Sequence, residues 1–269
     1  MFTCISFPQF FRKFQTDDDC KAYLFYLKWH KGFNCSRCNH QKYWKGRLPF
    51  HVRCCACGFD ESVCSRTIFS RIKFPLVTAF QMAFKISTCK SGISSLELSR
   101  EFGINSKTAW LFKRKVQESM GMLLSRNAGR CEERLWIDGL SINRGDINLN
   151  GIQKVSVRIS NFQLDNFPAV IYRFEEDYKD EKISCNLSHG KFIDQGADLR
   201  LWNFKVWLMG VHHHCSAKYL QGYLYEFFFR SIFHKNPGEA FYWLISGFLG
   251  GKSHSIEVNG HNMDNRGII

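Results

Sequence analysis

Apolar residues recur at helical spacing in the first part of the chain and at strand spacing further on. The polar run Thr16–Asp19 can cap a helix, and the apolar residues within Tyr23–Leu27 follow it at helical spacing. Phe74–Leu76 opens another helix, because its central proline suits a first helical turn. Beyond residue 131, Leu135–Asp138 and Val155–Ile159 have the apolar or alternating pattern of strands.

The second half of the chain mixes strands with helices. Phe162–Asp165 could be a further strand, whereas Ala197 to about His214 and Tyr219 to about His234 have helical patterns. This order predicts a mixed α/β domain. Asp138 and Asp165 each follow an apolar strand, but aspartate at a strand end is also a common turn or cap residue.

A helix-turn-helix pattern precedes these strands. Ile93–Phe102 predicts a short helix, Gly103 supplies a turn, and Asn105–Thr108 caps a second helix that runs to about Met120. In DNA-binding proteins the second helix of this motif enters the major groove. Its polar and basic face would consist of Ser106, Lys107, Trp110, Lys113 and Arg114. The alternative is an ordinary helical hairpin, which is common in helical proteins.

Two cysteine pairs indicate a metal site near the N-terminus. Cys35-Ser-Arg-Cys38 and Cys54-Cys-Ala-Cys57 are C-x-x-C knuckles separated by fifteen residues, which is the spacing of a zinc ribbon. Two such knuckles close a tetrahedral zinc site, and short strands are expected around Tyr43–Trp44 and His51–Arg53. Chance pairing is the alternative, because the chain has 12 cysteines. Cys55 is expected to be a bystander, although a local shift would let it replace Cys54.

Charge and hydropathy indicate an intracellular protein that binds nucleic acid. Lys and Arg total 37 against 24 Asp and Glu, a formal charge of +13 with a pI of about 9.2. Such a surface attracts the phosphate backbone, although a merely solvated basic surface is the alternative. The sequence has no long apolar run for a membrane span and no signal-peptide layout at its start. The expected location is the cytoplasm or nucleoid, or the nucleus of a eukaryotic host, where the remaining cysteines stay reduced.

Two segments resemble a known protein family. Trp202–His214 is similar to an N-(L/F)-K-x-W-L-x-G-x-H-H motif, and Tyr219–Arg230 is similar to Y-L-x-E-F-x-x-R. Both motifs occur in insertion-sequence transposases that join a zinc ribbon and a helix-turn-helix to a ribonuclease-H-like DDE-type domain. Residues 7–120 also look like the N-terminal region of that family, whereas residues 236–269 show little of it. The resemblance implies metal-dependent strand cleavage and transfer at the element ends.

The resemblance also implies a catalytic site. The residues that match the family's two aspartates, asparagine and lysine are Asp138, Asp165, Asn203 and Lys205. Asp177 and Asp180 are alternatives for the second aspartate. Their oxygens would bind two Mg²⁺ or Mn²⁺ ions, while the lysine would contact phosphate. His212–His214 are expected to cap a helix end or contact DNA, since adjacent helical residues point in different directions and suit a second zinc site less. The implied partners are terminal inverted repeats and target DNA, bound by a homo-oligomer.

Three departures from the family pattern concern the catalytic domain. Gly139 follows Asp138 where an acidic residue is expected, and only 26 residues separate Asp138 from Asp165. Arg230–His234 lacks the expected Asn-Arg ending. An inactive or repurposed remnant that only binds DNA is therefore the alternative function, and a zinc-ribbon protein adaptor is a third.

The predicted fold is α+β multidomain, with a helical segment at 1–32, a zinc ribbon at 33–72, a helix-turn-helix region at 73–128, a shortened ribonuclease-H-like α/β domain at 131–235 and a tail at 236–269.

Overall fold

Helices precede and follow two small antiparallel sheets in the computed structural model. The structure describes residues 6–137, 155–164, 167–174, 203–204, 206–208, 210–212 and 217–248. Its helices are α1 (Phe7–Lys13), α2 (Asp17–Trp29), α3 (Leu76–Thr88), α4 (Ser95–Phe102), α5 (Ser106–Arg126), α6 (Ala217–Phe233) and α7 (Pro237–Phe248). Its strands are β1 (Tyr43–Lys45), β2 (His51–Cys54), β3 (Asp60–Ser62), β4 (Ala128–Ile137), β5 (Val155–Leu164) and β6 (Phe167–Phe174). The described residues between 203 and 212 are also helical.

The predicted cap at Thr16 begins α2. The Thr16 side chain accepts a hydrogen bond from the Asp19 amide at 3.2 Å, and the Asp19 carboxylate accepts one from the Thr16 amide at 2.8 Å. This reciprocal capping box satisfies two amides that the first helical turn leaves without partners. Hydrogen bonds from the side chain and backbone of Thr16 hold the pKa of Asp19 below its usual value.

The two sheets each contain three antiparallel strands in sequence order. Strands β1, β2 and β3 form the ribbon, while β4, β5 and β6 form the second sheet. The prediction of a separate strand at Phe162–Asp165 is wrong for its described residues. Phe162 and Leu164 continue β5, because they pair with Ala169 and Phe167 of β6.

Aromatic side chains connect the N-terminal and C-terminal helices. Phe10 of α1 stacks on Phe84 of α3 at 4.1 Å between ring centroids. Phe241 of α7 lies 5.5 Å from Phe80 of α3 and 4.8 Å from Phe10. Phe10, Phe80 and Phe241 are fully buried. These contacts place α1, α3 and α7 around one hydrophobic core.

Residues 237–248, within the predicted C-terminal tail, form helix α7. Leu244 and Ile245 of this helix are fully buried, and Ser119 of α5 donates a hydrogen bond to the Leu244 carbonyl at 2.7 Å. Helix α5 contacts α4, α6 and α7. Packing therefore crosses the domain boundaries that the sequence predicted at 128–131 and 235, because α5 lies centrally and supplies apolar residues to several neighbours.

Membrane insertion has no candidate among the described helices. None of them is long and apolar enough to cross a bilayer.

Candidate metal centre

The four knuckle cysteines converge on one point. The Sγ atoms of Cys35, Cys38, Cys54 and Cys57 all lie within 4.8 Å of one another. The distance is 3.6 Å from Cys35 to Cys57 and 3.5 Å from Cys38 to Cys54. A tetrahedral zinc ion with Zn–S bonds of about 2.3 Å separates its sulfurs by about 3.8 Å. The cluster could therefore hold a metal ion, and its geometry is consistent with structural zinc.

Both knuckles have the same backbone conformation. In each, the amide of the first cysteine donates to the carbonyl five residues later, and the amide four residues later donates back to that cysteine. The N···O distances are 2.9 Å from Cys35 to His40, 2.9 Å from Asn39 to Cys35, 2.9 Å from Cys54 to Phe59 and 3.0 Å from Gly58 to Cys54. Asn39 and Gly58 adopt left-handed φ angles of 59° and 67°. Asparagine and glycine tolerate this conformation best, which explains their presence after each second cysteine.

The thiols differ in acidity although they share one site. Desolvation raises the pKa of Cys54, but hydrogen bonds from the backbone of Cys57 and Ala56 and from neighbouring thiols outweigh it and lower the pKa to about 7. A backbone hydrogen bond from His40 lowers the pKa of Cys38, whereas desolvation and the neighbouring thiols raise it to about 12. Cys54 therefore forms a thiolate more readily than Cys38, and thiolates are the form that binds a metal.

A buried ion pair fixes the first knuckle to α2. Glu61 of β3 is 3% exposed, and its carboxylate lies 2.7 Å from the Lys28 ammonium of α2. Ser36, within the first knuckle, donates to the other Glu61 oxygen at 3.0 Å. Lys28 also donates to the carbonyls of Ser62 and Ser65 at 3.1 and 3.0 Å. This network was not predicted from the sequence, in which the available signal was a lysine on the inner side of α2.

Helix α4, a turn at Gly103 and helix α5 lie where the sequence predicted a helix pair. Ser94 caps α4 by accepting a hydrogen bond from the Glu97 amide at 3.1 Å, and Gly103 ends the helix with a φ of 63°. Asn105 caps α5 by accepting from the Lys107 amide at 2.9 Å. Ser106 and Lys107 are exposed at this end of α5. Helix α3 packs against both α4 and α5.

Lys113 was predicted to contact DNA, and the structure buries its side chain. The residue is 2% exposed, and its ammonium lies 3.1 Å from the Glu226 carboxylate of α6. It also donates to the Ile93 carbonyl at 2.5 Å and lies 3.3 Å from His212 Nε2. Burial lowers the pKa of Lys113, while the charge of Glu226 opposes that shift. The side chain therefore joins helices instead of facing solvent.

Trp110 and Arg114 are half-buried against α6. The Arg114 guanidinium lies 4.6 Å from the Tyr219 ring centroid and donates to the Tyr219 carbonyl at 3.3 Å. It also donates to the Gln117 side chain at 3.1 Å. Trp110 makes an edge-to-face contact with Tyr219 at 5.1 Å. Of the five residues predicted to bind DNA, Ser106 and Lys107 are therefore the exposed ones.

The charged residues of the Y-L-x-E-F-x-x-R motif lie in the interior. Glu226 is fully buried and accepts a hydrogen bond from Gln117 at 2.8 Å. Arg230, one helical turn later, is 7% exposed and lies 3.8 Å from Glu226. Its guanidinium donates to the carbonyls of Cys89 and Lys90 at 2.9 and 3.0 Å. The motif therefore ties α6 to α5 and to the loop after α3.

The N-(L/F)-K-x-W motif contributes to the same cluster. The Trp207 ring lies 4.6 Å from the Arg230 guanidinium, and its Nε1 donates to the Ser91 carbonyl at 2.9 Å. Gly92, at a φ of 80°, lets this ring approach, because a Cβ there would stand 2.5 Å from Trp207 Nε1. The ring of His212 packs against Trp207 at 5.2 Å. His212 therefore packs beside Trp207, and its expected helix-capping or DNA-contact role stays a prediction.

Three of the four predicted catalytic residues lie outside the described residues. They are Asp138, Asp165 and Lys205, and their assignment stays a prediction. Asn203 is described, and it is helical and exposed. His213 and His214 are also outside the described residues, as are the alternative aspartates at 177 and 180.

The register of the second sheet shows which of its described strands end on the same side. Ile137, the last residue of β4, pairs with Val155 at the beginning of β5. Phe174, the last residue of β6, pairs with Val157 near that same end. Leu164 ends β5 nine residues after Val155, which corresponds to about 30 Å along a strand. Strands β4 and β6 therefore both finish at one end of the sheet, and strand β5, which runs antiparallel to them, finishes at the opposite end.

No protein-family model, curated protein or solved structure matches the chain. The class that fold and site define is a mixed helical and small-sheet protein with a four-cysteine cluster that could hold a metal ion.

Proposed function

We propose that this chain is a zinc-dependent DNA-binding protein of the insertion-sequence transposase type. The observation that carries the proposal is the pair of equivalent cysteine knuckles, whose four sulfurs lie within 4.8 Å of one another, in a chain of charge +13. The resemblance in motif order adds the transposase type. The partners are the terminal inverted repeats of the element and its target DNA, bound by a homo-oligomer.

The exposed N-terminal end of α5 supports duplex binding. Ser106 and Lys107 are exposed there, and the first helical turn contains no acidic residue. A helix N-terminus carries a partial positive charge, which suits a phosphate, and a lysine beside it adds a full charge. From Trp110 onward α5 packs against α6, so DNA would meet only the first turn of the helix.

Salt-dependent affinity for a duplex of about 30 base pairs tests this proposal. If about six phosphates are contacted, log affinity falls against log salt with a slope of about −5. Lys107→Ala should weaken binding and reduce the slope by about 1, whereas Lys235→Ala, at an exposed position beyond α6, should change neither. Affinity that is independent of salt, or equal losses in both variants, would contradict duplex binding through α5.

Metal-dependent strand cleavage and transfer is the second candidate function. It is favoured by the three-stranded antiparallel sheet, in which β4 and β6 end at one edge. Asp138 directly follows β4, and Asp177 follows three residues after β6, so chain connectivity favours Asp177 over Asp165 as the partner of Asp138. Two carboxylates at one edge could bind Mg²⁺ or Mn²⁺ ions that activate the attacking hydroxyl and stabilise the leaving oxygen.

Cleavage of the element's own terminal repeats in Mn²⁺ tests the catalytic proposal. Asp138→Asn and Asp177→Asn should abolish cleavage and leave duplex affinity intact, while Asp165→Asn should retain activity. Activity that survives Asp138→Asn would exclude this residue from the mechanism. Wild-type protein that binds the repeats without cleaving them would leave DNA binding as the function.

A further inference from the structure

An unusually long segment around the ribbon has no acidic residue. Between Asp19 and Asp60 the sequence contains eight Lys or Arg and no Asp or Glu. The basic residues are Lys21, Lys28, Lys31, Arg37, Lys42, Lys45, Arg47 and Arg53. Lys28 is neutralised by Glu61 of β3, and Lys21 pairs with Asp18. Asp60 of β3 lies opposite Arg53 in the strand register, and the remaining basic residues still give the segment a net positive charge, to which a polyanion is the complementary partner.

Strand β1 carries large aromatic side chains that the fold leaves in solvent. Tyr43 is 41% exposed and Trp44 is 65% exposed, and Lys45 after them is exposed as well. Successive residues of a strand point to opposite faces, so β1 is exposed on both of its faces. Leu48, in the following turn, is 59% exposed. Burying such rings would stabilise the fold, so their joint exposure marks a contact surface.

Basic residues are close to these rings in sequence and in strand register. Lys42 and Lys45 flank the two aromatics in sequence, and Arg53 of β2 lies directly opposite Trp44 in the strand register. The Tyr43 ring packs on Phe33 at 5.1 Å between centroids, which fixes its orientation. A ring held in place beside several cations can stack on a base while the cations contact the neighbouring phosphates.

We propose that the β1 surface, defined as Lys42–Lys45, binds single-stranded DNA by stacking an unpaired base on Trp44. A duplex offers few base faces, since its bases already stack on one another, so exposed rings favour an unpaired strand. The choice of DNA over RNA rests on the proposed function. The α5 surface would then bind duplex DNA, and the ribbon would bind a strand that is opened or frayed at an element end.

Fluorescence anisotropy with a labelled 20-nucleotide oligothymidylate tests this assignment on the full chain. Trp44→Ala should weaken binding about 5- to 150-fold, because one stacked base contributes about 1–3 kcal/mol. Trp44→Phe, which keeps a ring, should retain most of the affinity. The matched control is Tyr26→Ala, which removes a ring that is 51% exposed on α2. Zinc content, measured for every variant, establishes that the ribbon is intact.

The outcomes separate this inference from the proposed function. Loss of oligothymidylate binding in Trp44→Ala, with duplex affinity changed less than twofold, supports the β1 surface. Unchanged oligothymidylate affinity in Trp44→Ala, or an equal loss in Tyr26→Ala, overturns it while leaving duplex binding through Lys107 intact. Tighter binding of oligouridylate than of oligothymidylate would overturn the choice of DNA. If no oligonucleotide binds at low salt, the surface is not a nucleic-acid site.

Discussion

Replacing Lys113 by Met tests whether the lysine supports the fold instead of binding DNA. Lys113 and Glu226 are 2% and 0% exposed, and 3.1 Å separates the ammonium from the carboxylate. Without the lysine, Glu226 keeps the Gln117 hydrogen bond and a distant Arg230 at 3.8 Å. Its other oxygen, Oε1, already finds no hydrogen-bond donor among the described residues. An uncompensated buried charge of this kind costs about 3–5 kcal/mol.

Urea unfolding followed by helical circular dichroism, in zinc-saturated buffer, measures this loss. For a chain of this size 1 kcal/mol corresponds to about 2–4 °C in Tm. In thermal unfolding, Lys113→Met should therefore have a Tm about 6–20 °C below that of the wild type. Lys113→Met combined with Glu226→Gln removes both charges and should be less destabilised than the sum of the two single variants, by at least about 1 kcal/mol. The double variant should still be less stable than the wild type, because Arg230 loses the charged carboxylate of Glu226.

Lys107→Met is the matched control on the same helix. Lys107 is exposed, so its replacement should change the free energy of unfolding by less than about 0.5 kcal/mol while weakening duplex binding. Lys113→Met should lower the free energy of unfolding and leave duplex affinity unchanged, when affinity is measured at a temperature where the variant is folded. A Lys113→Met protein of wild-type stability would refute the role of the ion pair. Weakened DNA binding at unchanged stability would restore the sequence-based prediction for this residue.

Three further perturbations test the ribbon and the turn after α3. Elemental analysis should find one zinc per chain. Cys35→Ser should lose both the zinc and the ribbon structure, whereas Cys55→Ser should keep the zinc. Zinc retained in Cys35→Ser would count against the four-cysteine site. Glu61→Gln should lower the free energy of unfolding by about 1–3 kcal/mol, measured in urea, since it weakens a buried charged hydrogen bond. Gly92→Ala should lower the free energy of unfolding by at least about 1 kcal/mol, because its φ is 80° and the added Cβ would meet the Trp207 ring. Gly210→Ala should lower it less, because an added Cβ there meets no atom of the described residues within 4 Å. Equal losses in the two variants would refute the packing argument.

The parts of the fold that depend on short-range chemistry could be predicted from the sequence. Two C-x-x-C pairs define the metal cluster, because the knuckle conformation needs only the residues between Cys35 and His40 or their equivalents. Caps are equally local, so Thr16 marks the beginning of α2, and Asn105 marks that of α5. These features need no knowledge of the rest of the chain.

The exposure of α5 could not be predicted from periodicity. Ser106 and Lys113 are seven residues apart, which is nearly two turns, so they lie on the same side of the helix. The side chains differ because α6 covers the helix about 10 Å further along its axis, where Glu226 meets Lys113. Periodicity describes position around a helix, whereas burial here changes along it. The neighbour responsible is more than a hundred residues away in sequence.

The motif residues outside the catalytic positions acquire a physical explanation from this packing. Trp207, Glu226 and Arg230 carried the resemblance to transposases, and all three contact α5 or the loop after α3. That loop joins α3 to α4, and α4 leads into the exposed end of α5. The C-terminal motifs therefore position the helix pair proposed to bind DNA. A substitution at Glu226 should consequently lower the free energy of unfolding, as Lys113→Met should, because it breaks the same buried ion pair.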